Sequence, residues 1–284
     1  MKPLIQKLPL NEATSFVAKT FRTPHFEVGW HQHIEYELIL FTEGSGMSFI
    51  GNYVGEFETG DIYFLGSNLP HTFQKSGNQI TSAIVVQFRD DFWGNHFLEI
   101  PESRNLKQLL HTSLHGLQIT GECKAILANY IKQLENTNGF KRVLLLEECL
   151  HVMAERNEYL EVSTQEIKEL TTKDKQCIDR VFQFTIDSFK DPVSLPEVAA
   201  VACMSIPAFC RYFKKSTKKT YTEFLNEVRI GYACNLLQDT QKTVQDICYE
   251  SGYNSIANFH RQFLKIKSYT PLQYRKYFTA AQHH

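Results

Sequence analysis

The chain has 284 residues, 43% of them apolar, with 30 Lys and Arg against 31 Asp and Glu. That length supports two domains with cores of their own, while a net charge of −1 neither favours nor opposes a nucleic-acid partner. With no apolar leader and no run of about 18 apolar residues, the chain reads as cytoplasmic and without a membrane segment; its seven cysteines lack C-x-x-C spacing, which excludes a zinc ribbon and fits reduced thiols.

From about Phe16 to Phe88 short apolar runs alternate with turn residues. Glu37-Leu38-Ile39-Leu40-Phe41, Gly46 to Ile50, Asp61 to Leu65 and Ala83 to Phe88 predict strands, punctuated at Gly44, Gly51-Asn52, Gly55, Gly60-Asp61 and Gly77-Asn78. Several short strands at this spacing predict a small β-sandwich or barrel over residues 1–100.

Within it stand His31-x-His33-x3-Glu37 and Gly60-Asp61-x8-Pro70-His71. On one continuous strand His31, His33 and Glu37 would share a face, and a hairpin partner would bring His71 alongside. Three imidazoles and a carboxylate suit a divalent metal (Zn, Ni, Mn or Fe). The same residues also suit the polar lining of an effector pocket or a purely structural role. Trp30, Tyr36, Phe49, Tyr63 and Phe73 are available as an aromatic wall beside His31, His33, Glu37 and His71, a combination that fits a small molecule such as a sugar. The two histidine-bearing stretches resemble the two cupin motifs.

Between Leu106 and Leu160 the period becomes helical, with Gly116, Gly121 and Asn138-Gly139 dividing it into about three helices. Residues 101–160 are therefore expected to cover the β-domain or to present a dimerisation face. The polar stretch around 161–172 is the expected interdomain linker.

Residues 173–284 contain an internal repeat. Ser205, Ile206, Phe209, Arg211, Phe213 and Lys215 recur fifty positions later as Ser255, Ile256, Phe259, Arg261, Phe263 and Lys265. Each copy joins a short helical segment (Leu195, Val198, Ala199, Ala202; then Val244, Ile247, Cys248) through a small-residue turn to a second helix opened by a capping serine. Phe209/Phe213 and Phe259/Phe263 lie four apart on one face and are expected core. The stripe Phe224, Leu225, Val228, Ala233, Leu236 and Leu237 predicts one long connecting helix, which would hold two recognition helices at a separation suited to major-groove turns about 34 Å apart.

The run Leu195-x3-Ala199, Phe209-x3-Phe213-Lys214-Lys215, Phe224-Leu225-x3-Arg229, Ala233-x2-Leu236-Leu237, Ile247-x4-Gly252-Tyr253, Phe259-x3-Phe263 and Pro271-x2-Tyr274-Arg275 resembles the DNA-binding domain of the AraC/XylS family of bacterial transcription regulators. Lys218 and Ser268 stand where that family usually has glycine after each recognition helix, and a non-glycine residue in such a left-handed cap costs up to about 1 kcal/mol. The resemblance implies an α+β architecture: a cupin-like β-barrel effector domain, intermediate helices that commonly dimerise, and an all-α domain with two helix-turn-helix units.

Charge divides accordingly. Residues 173–278 hold 16 Lys and Arg against 10 Asp and Glu, or +6, whereas the first 172 residues hold 14 against 21, or −7. Only the basic part attracts phosphates. In the family's groove-facing positions stand Ile206, Pro207, Cys210 and Arg211 in the first unit and Ile256, Ala257, His260 and Arg261 in the second. The two arginines are candidates for bidentate guanine contacts and the apolar residues for thymine methyls. Lys214, Lys215, Lys218 and Lys219 form a phosphate-holding run or a solvated face. The expected protein is a non-enzymatic regulator that binds double-stranded DNA: a homodimer under small-molecule control, partnering RNA polymerase in the activating case. The alternative is a metal-dependent cupin enzyme, a dioxygenase or isomerase, with an appended DNA-binding module.

Overall fold

Period-two alternation sorts the strand residues of this chain into distinct layers. The computed structural model describes residues 4–5, 14–23, 29–75, 79–94, 96–164 and 172–281; the expected Gly77-Asn78 turn and residues 165–171 of the expected linker lie outside them. The β-domain contains β1 (Leu4–Ile5), β2 (Val17–Arg22), β3 (His31–Gln32), β4 (Tyr36–Glu43), β5 (Gly46–Ile50), β6 (Tyr53–Phe57), β7 (Ile62–Leu65), β8 (His71–Lys75) and β9 (Ser82–Phe88). There follow α1 (Arg104–Thr112), β10 (Leu117–Ile119), α2 (Gly121–Asn136), α3 (Phe140–Arg156) and β11 (Tyr159–Glu161). Two sheets result, ordered β1-β3-β8-β5-β6 and β11-β10-β7-β4-β9-β2.

The α+β class is as expected, but the described strands form two facing sheets rather than one closed barrel. Ile39, Phe41, Tyr63, Leu65, Ala83 and Val85 from one sheet meet Ile50, Phe57 and Phe73 from the other in a common core. Their neighbours Leu38, Leu40, Ile62, Phe64, Ile84 and Val86 point the opposite way, onto α1, α2 and α3. Because both faces of that sheet are buried, β4, β7 and β9 read as continuous apolar runs. The helical segment is not a separate layer, since its own β10 and β11 extend the sheet through β7.

The outer face of the other sheet, with Trp30, Met47 and Phe49, packs on the C-terminal domain. That domain comprises α4 (Thr172–Ser188), α5 (Leu195–Val201), α6 (Ile206–Thr217), α7 (Tyr221–Asp239), α8 (Val244–Glu250), α9 (Ile256–Lys267) and α10 (Pro271–Ala281). α7 runs unbroken through Gly231, where a side chain would meet Met47 Cε at 2.5 Å. Nineteen residues at helical rise make α7 about 28 Å long.

Candidate effector site and DNA interface

The interior faces of the two sheets bring four sequence-predicted residues together at one end of the β-domain. His31 lies on β3 in one sheet and Glu37 on β4 in the other, so the expectation of a single shared strand is corrected: the chain turns between them. His71 on β8 pairs in register with His31. The rings of His31 and His71 lie 4.3 Å apart, those of His33 and His71 5.2 Å. Glu37 approaches His33 Nε2 at 3.1 Å and His71 Nε2 at 3.6 Å. All four side chains are buried.

Each imidazole is oriented by a backbone carbonyl through Nδ1: His31 to Gly29 at 2.9 Å, His33 to Glu35 at 3.0 Å, His71 to Leu69 at 2.8 Å. Since a carbonyl only accepts, each Nδ1 carries the proton and Nε2 is left facing the cluster. Burial, reinforced by His71, lowers the His31 pKa to about 3. Burial also works to lower that of His33, but the hydrogen bond and charge of Glu37 outweigh it and the net shift is upward. For Glu37 burial works upward, yet His33 and His71 together hold its carboxyl well below the usual range.

Gln87, which sequence reasoning missed, completes the group. It sits opposite Glu37 in the β4/β9 register and donates from Nε2 to Glu37 Oε2 at 2.6 Å. The available signal was a lone amide inside the apolar run of β9.

The expected aromatic wall is not assembled. Trp30 faces away from His31, packs edge-on against Phe182 of α4 at 5.2 Å and donates from Nε1 to Asp179 Oδ1 at 3.1 Å. Phe49 joins the same interdomain core, and Tyr36 stacks on Phe64 and Phe88 behind the other sheet. Tyr63 and Phe73 do face inward but pack against each other and Phe41, and the Tyr63 hydroxyl donates to Glu56 O. The sugar-like pocket built on these rings therefore loses its wall.

In the C-terminal domain the repeat becomes two helix-turn-helix units, α5/α6 and α8/α9, joined by α7. Phe209, Phe213, Phe259 and Phe263 are fully buried, as their spacing requires. Ile206, Pro207, Cys210, Arg211, Lys214 and Lys215 on α6 are exposed, as are Ile256, Ala257 and Arg261 on α9; His260 is half-buried. Arg261 Nη2 donates to Asn258 Oδ1 at 2.7 Å, one turn back along α9. Ser255 caps α9 by accepting from Asn258 N, whereas Ser205 makes no side-chain cap at α6, against expectation. Lys218 and Ser268 both take the left-handed conformation, at φ 60°, the backbone for which glycine is favoured. In the first turn Cys203 adopts it as well (φ 56°), where the second uses Gly252.

Polar grips tie the β5–β6 hairpin to both units. Asn52 at its tip donates to Thr217 O at the end of α6 and accepts from Lys219 Nζ, which also bridges to Glu227; Lys219 is thereby drawn away from a phosphate role. Glu56 accepts from the Tyr274 hydroxyl at 2.6 Å and pairs with Lys267, the last residue of α9, at 2.9 Å. Among the described residues no helix is long and apolar enough to cross a membrane.

A β-domain holding a buried donor cluster, docked on two linked helix-turn-helix units, defines a ligand-binding transcription regulator. The AraC-like ligand binding domain matches residues 14–151 and a helix-turn-helix domain matches residues 198–277. The chain belongs to the AraC family. It is 23% identical to the transcriptional activator RhaR of Mannheimia succiniciproducens over 258 residues, 87% of each chain. It is 22% identical to the melibiose operon regulatory protein of Escherichia coli K12, covering 90% of this chain and 86% of that one. The match to YdeC of Bacillus subtilis, at 24% identity, takes in 75% of this chain and 60% of YdeC. Among solved structures, ToxT of Vibrio cholerae aligns over 93% of this chain and 98% of its own at 16% identity and a TM-score of 0.39.

Proposed function

We propose that this protein is a cytoplasmic, sequence-specific regulator that lays α6 and α9 into successive major-groove turns of double-stranded DNA. The carrying observation is that two matched recognition helices, each with an exposed arginine and exposed apolar residues at its N-terminal end, hang on one continuous α7. Arg211 and Arg261 read guanines, Ile206, Pro207, Ile256 and Ala257 meet thymine methyls, Cys210 and His260 line the groove, and Lys214 and Lys215 hold phosphates.

Control by a small effector in the β-domain reaches DNA through the β5–β6 hairpin, which grips the end of each recognition helix. A homodimer through α3 is part of this reading: Phe140 and Leu144, one turn apart, are 73% and 50% exposed. An activating output, with RNA polymerase as partner, is the version that the name of the RhaR relative supports.

The test is selection of binding sites from random duplexes with the full chain, followed by footprinting. The expected outcome is a site with two protected segments about one helical turn apart. Enrichment of no sequence above random duplex would overturn the reading.

A further inference from the structure

We infer that Asn258 is a positioning residue for base readout: it holds the Arg261 guanidinium in place on α9, so that sequence discrimination rests more on the second helix-turn-helix unit than on the first. This rests on the DNA-binding reading above.

The two units differ in what stands behind the arginine. On α9, Ser255 Oγ accepts from Asn258 N at 3.4 Å, and Asn258 Oδ1 accepts from Arg261 Nη2 at 2.7 Å, so cap, amide and guanidinium form one chain in steps of three residues. Fifty positions earlier the same places are taken by Ser205, Ala208 and Arg211. Ala208 has no side-chain acceptor and Ser205 makes no side-chain cap. Arg211, exposed like Arg261, has no hydrogen-bond partner among the described residues.

A free, exposed arginine gives up its rotamer freedom on meeting a base, whereas one already held has given up most of it beforehand. Holding also narrows the choice of acceptor: a mobile guanidinium can swing to a phosphate or a neighbouring base, and a fixed one cannot. Reading capacity survives, because one of the five guanidinium N–H donors goes to Asn258 and a guanine O6/N7 pair needs two. The neutral amide orients the cation without cancelling its charge, which a carboxylate in the same place would do. Asn258 can serve as the fixed partner because it is half-buried and its backbone is pinned by the Ser255 cap.

Duplexes enriched from a random pool by the full chain are compared, by fluorescence anisotropy, with the same duplexes carrying adenine in place of one guanine. The guanine read by each unit is the one whose preference disappears in Arg211→Ala or Arg261→Ala. The ratio of affinities should be larger for the guanine under α9 than for the one under α6. Asn258→Ala should lower the α9 ratio by about three- to tenfold, with affinity for random duplex and the melting temperature unchanged. Asn258→Asp, which keeps the acceptor and drops the amide donor, should retain the ratio while weakening both duplexes. Ala208→Asn, which leaves the second unit intact, should raise the α6 ratio. An undiminished α9 ratio in Asn258→Ala would overturn the positioning role, as would a ratio in Asn258→Asp as low as in Asn258→Ala, the mark of a direct base contact. Equal ratios at the two guanines in the wild type, or no gain in Ala208→Asn, would overturn the asymmetry. If the wild type enriches no site, the DNA-binding reading itself falls; selective binding with variants that behave as wild type removes this inference alone.

Discussion

Replacing Trp30 by alanine removes the largest side chain that the β-domain inserts into the C-terminal domain. Trp30 is 3% exposed, sits edge-on to Phe182, and donates to an Asp179 that is itself 2% exposed. Truncating a buried tryptophan costs about 3–5 kcal/mol through lost transfer energy and the cavity left behind. The hydrogen bond to a charged acceptor accounts for roughly 1.5–3 kcal/mol of that. A loss near 4 kcal/mol weakens docking by about three orders of magnitude. It leaves the inner β core around Phe41, Tyr63 and Phe73 intact, as it does the second helix-turn-helix core around Ile230, Phe259 and Phe263. Differential scanning calorimetry should therefore show the endotherm of Trp30→Ala broadening or splitting, with α4 losing hydrogen-exchange protection first. Trp30→Phe, which keeps ring packing and drops the N–H, should fall between. A single endotherm within a degree of wild type would refute the assignment of Trp30 as the interdomain anchor.

Arg261→Ala should lose about 1–3 kcal/mol on a selected site and little on random duplex; equal loss on both, measured by fluorescence anisotropy, would place Arg261 on phosphate instead. Lys214→Ala and Lys215→Ala should weaken both duplexes alike, each lowering the slope of log K against log salt by about 1, and an unchanged slope would make them solvated. Gly252→Ala puts a side chain at φ 82° against Phe189 O and Arg229 Nε, so denaturant unfolding should show a loss of at least about 2 kcal/mol. Lys218→Gly relieves a left-handed cap at φ 60° and should raise stability by up to about 1 kcal/mol in the same denaturant unfolding; a loss would refute the cap strain.

Legibility in the sequence followed the range of the interactions. The helix-turn-helix units were readable because a repeat displays its own core: Phe209/Phe213 and Phe259/Phe263 declare a buried face by spacing alone. The strand runs of β4, β5, β7 and β9 were readable from turn residues at their ends. His31, His33, Glu37 and His71 were readable as a set, but not the means of their assembly, because β3 and β4 enter different sheets across a three-residue turn that carries no distinct pattern. β10 and β11 were hidden inside a helical period, since three residues are too few to establish alternation. Trp30 was placed in the pocket because adjacency to His31 was the only local information; its partner Asp179 lies 149 residues away. Asn52 was legible only as a turn residue, and Glu56 carried no local signal, for the same reason.

That long-range layer gives the proposed control its physical route. β5 turns Ser48 and Ile50 toward the interior and Met47 and Phe49 toward the C-terminal domain, and Ile50 is the register partner of His71. Met47 lies directly over Gly231, where α7 has no side chain to absorb a shift. A ligand that draws His71 inward thus acts on the strand whose other face rests on the helix joining the two recognition units, while Asn52 and Glu56 carry the same displacement to their ends. Effector control needs a difference in affinity between two arrangements. An alanine at Glu56 removes the grip on Lys267 and Tyr274 without touching the histidine cluster. If the hairpin is the route, Glu56→Ala should weaken the dependence of DNA affinity on whatever occupies the cluster while leaving that occupancy unchanged, the Asn52 grip on α6 remaining; an undiminished dependence would place the route elsewhere.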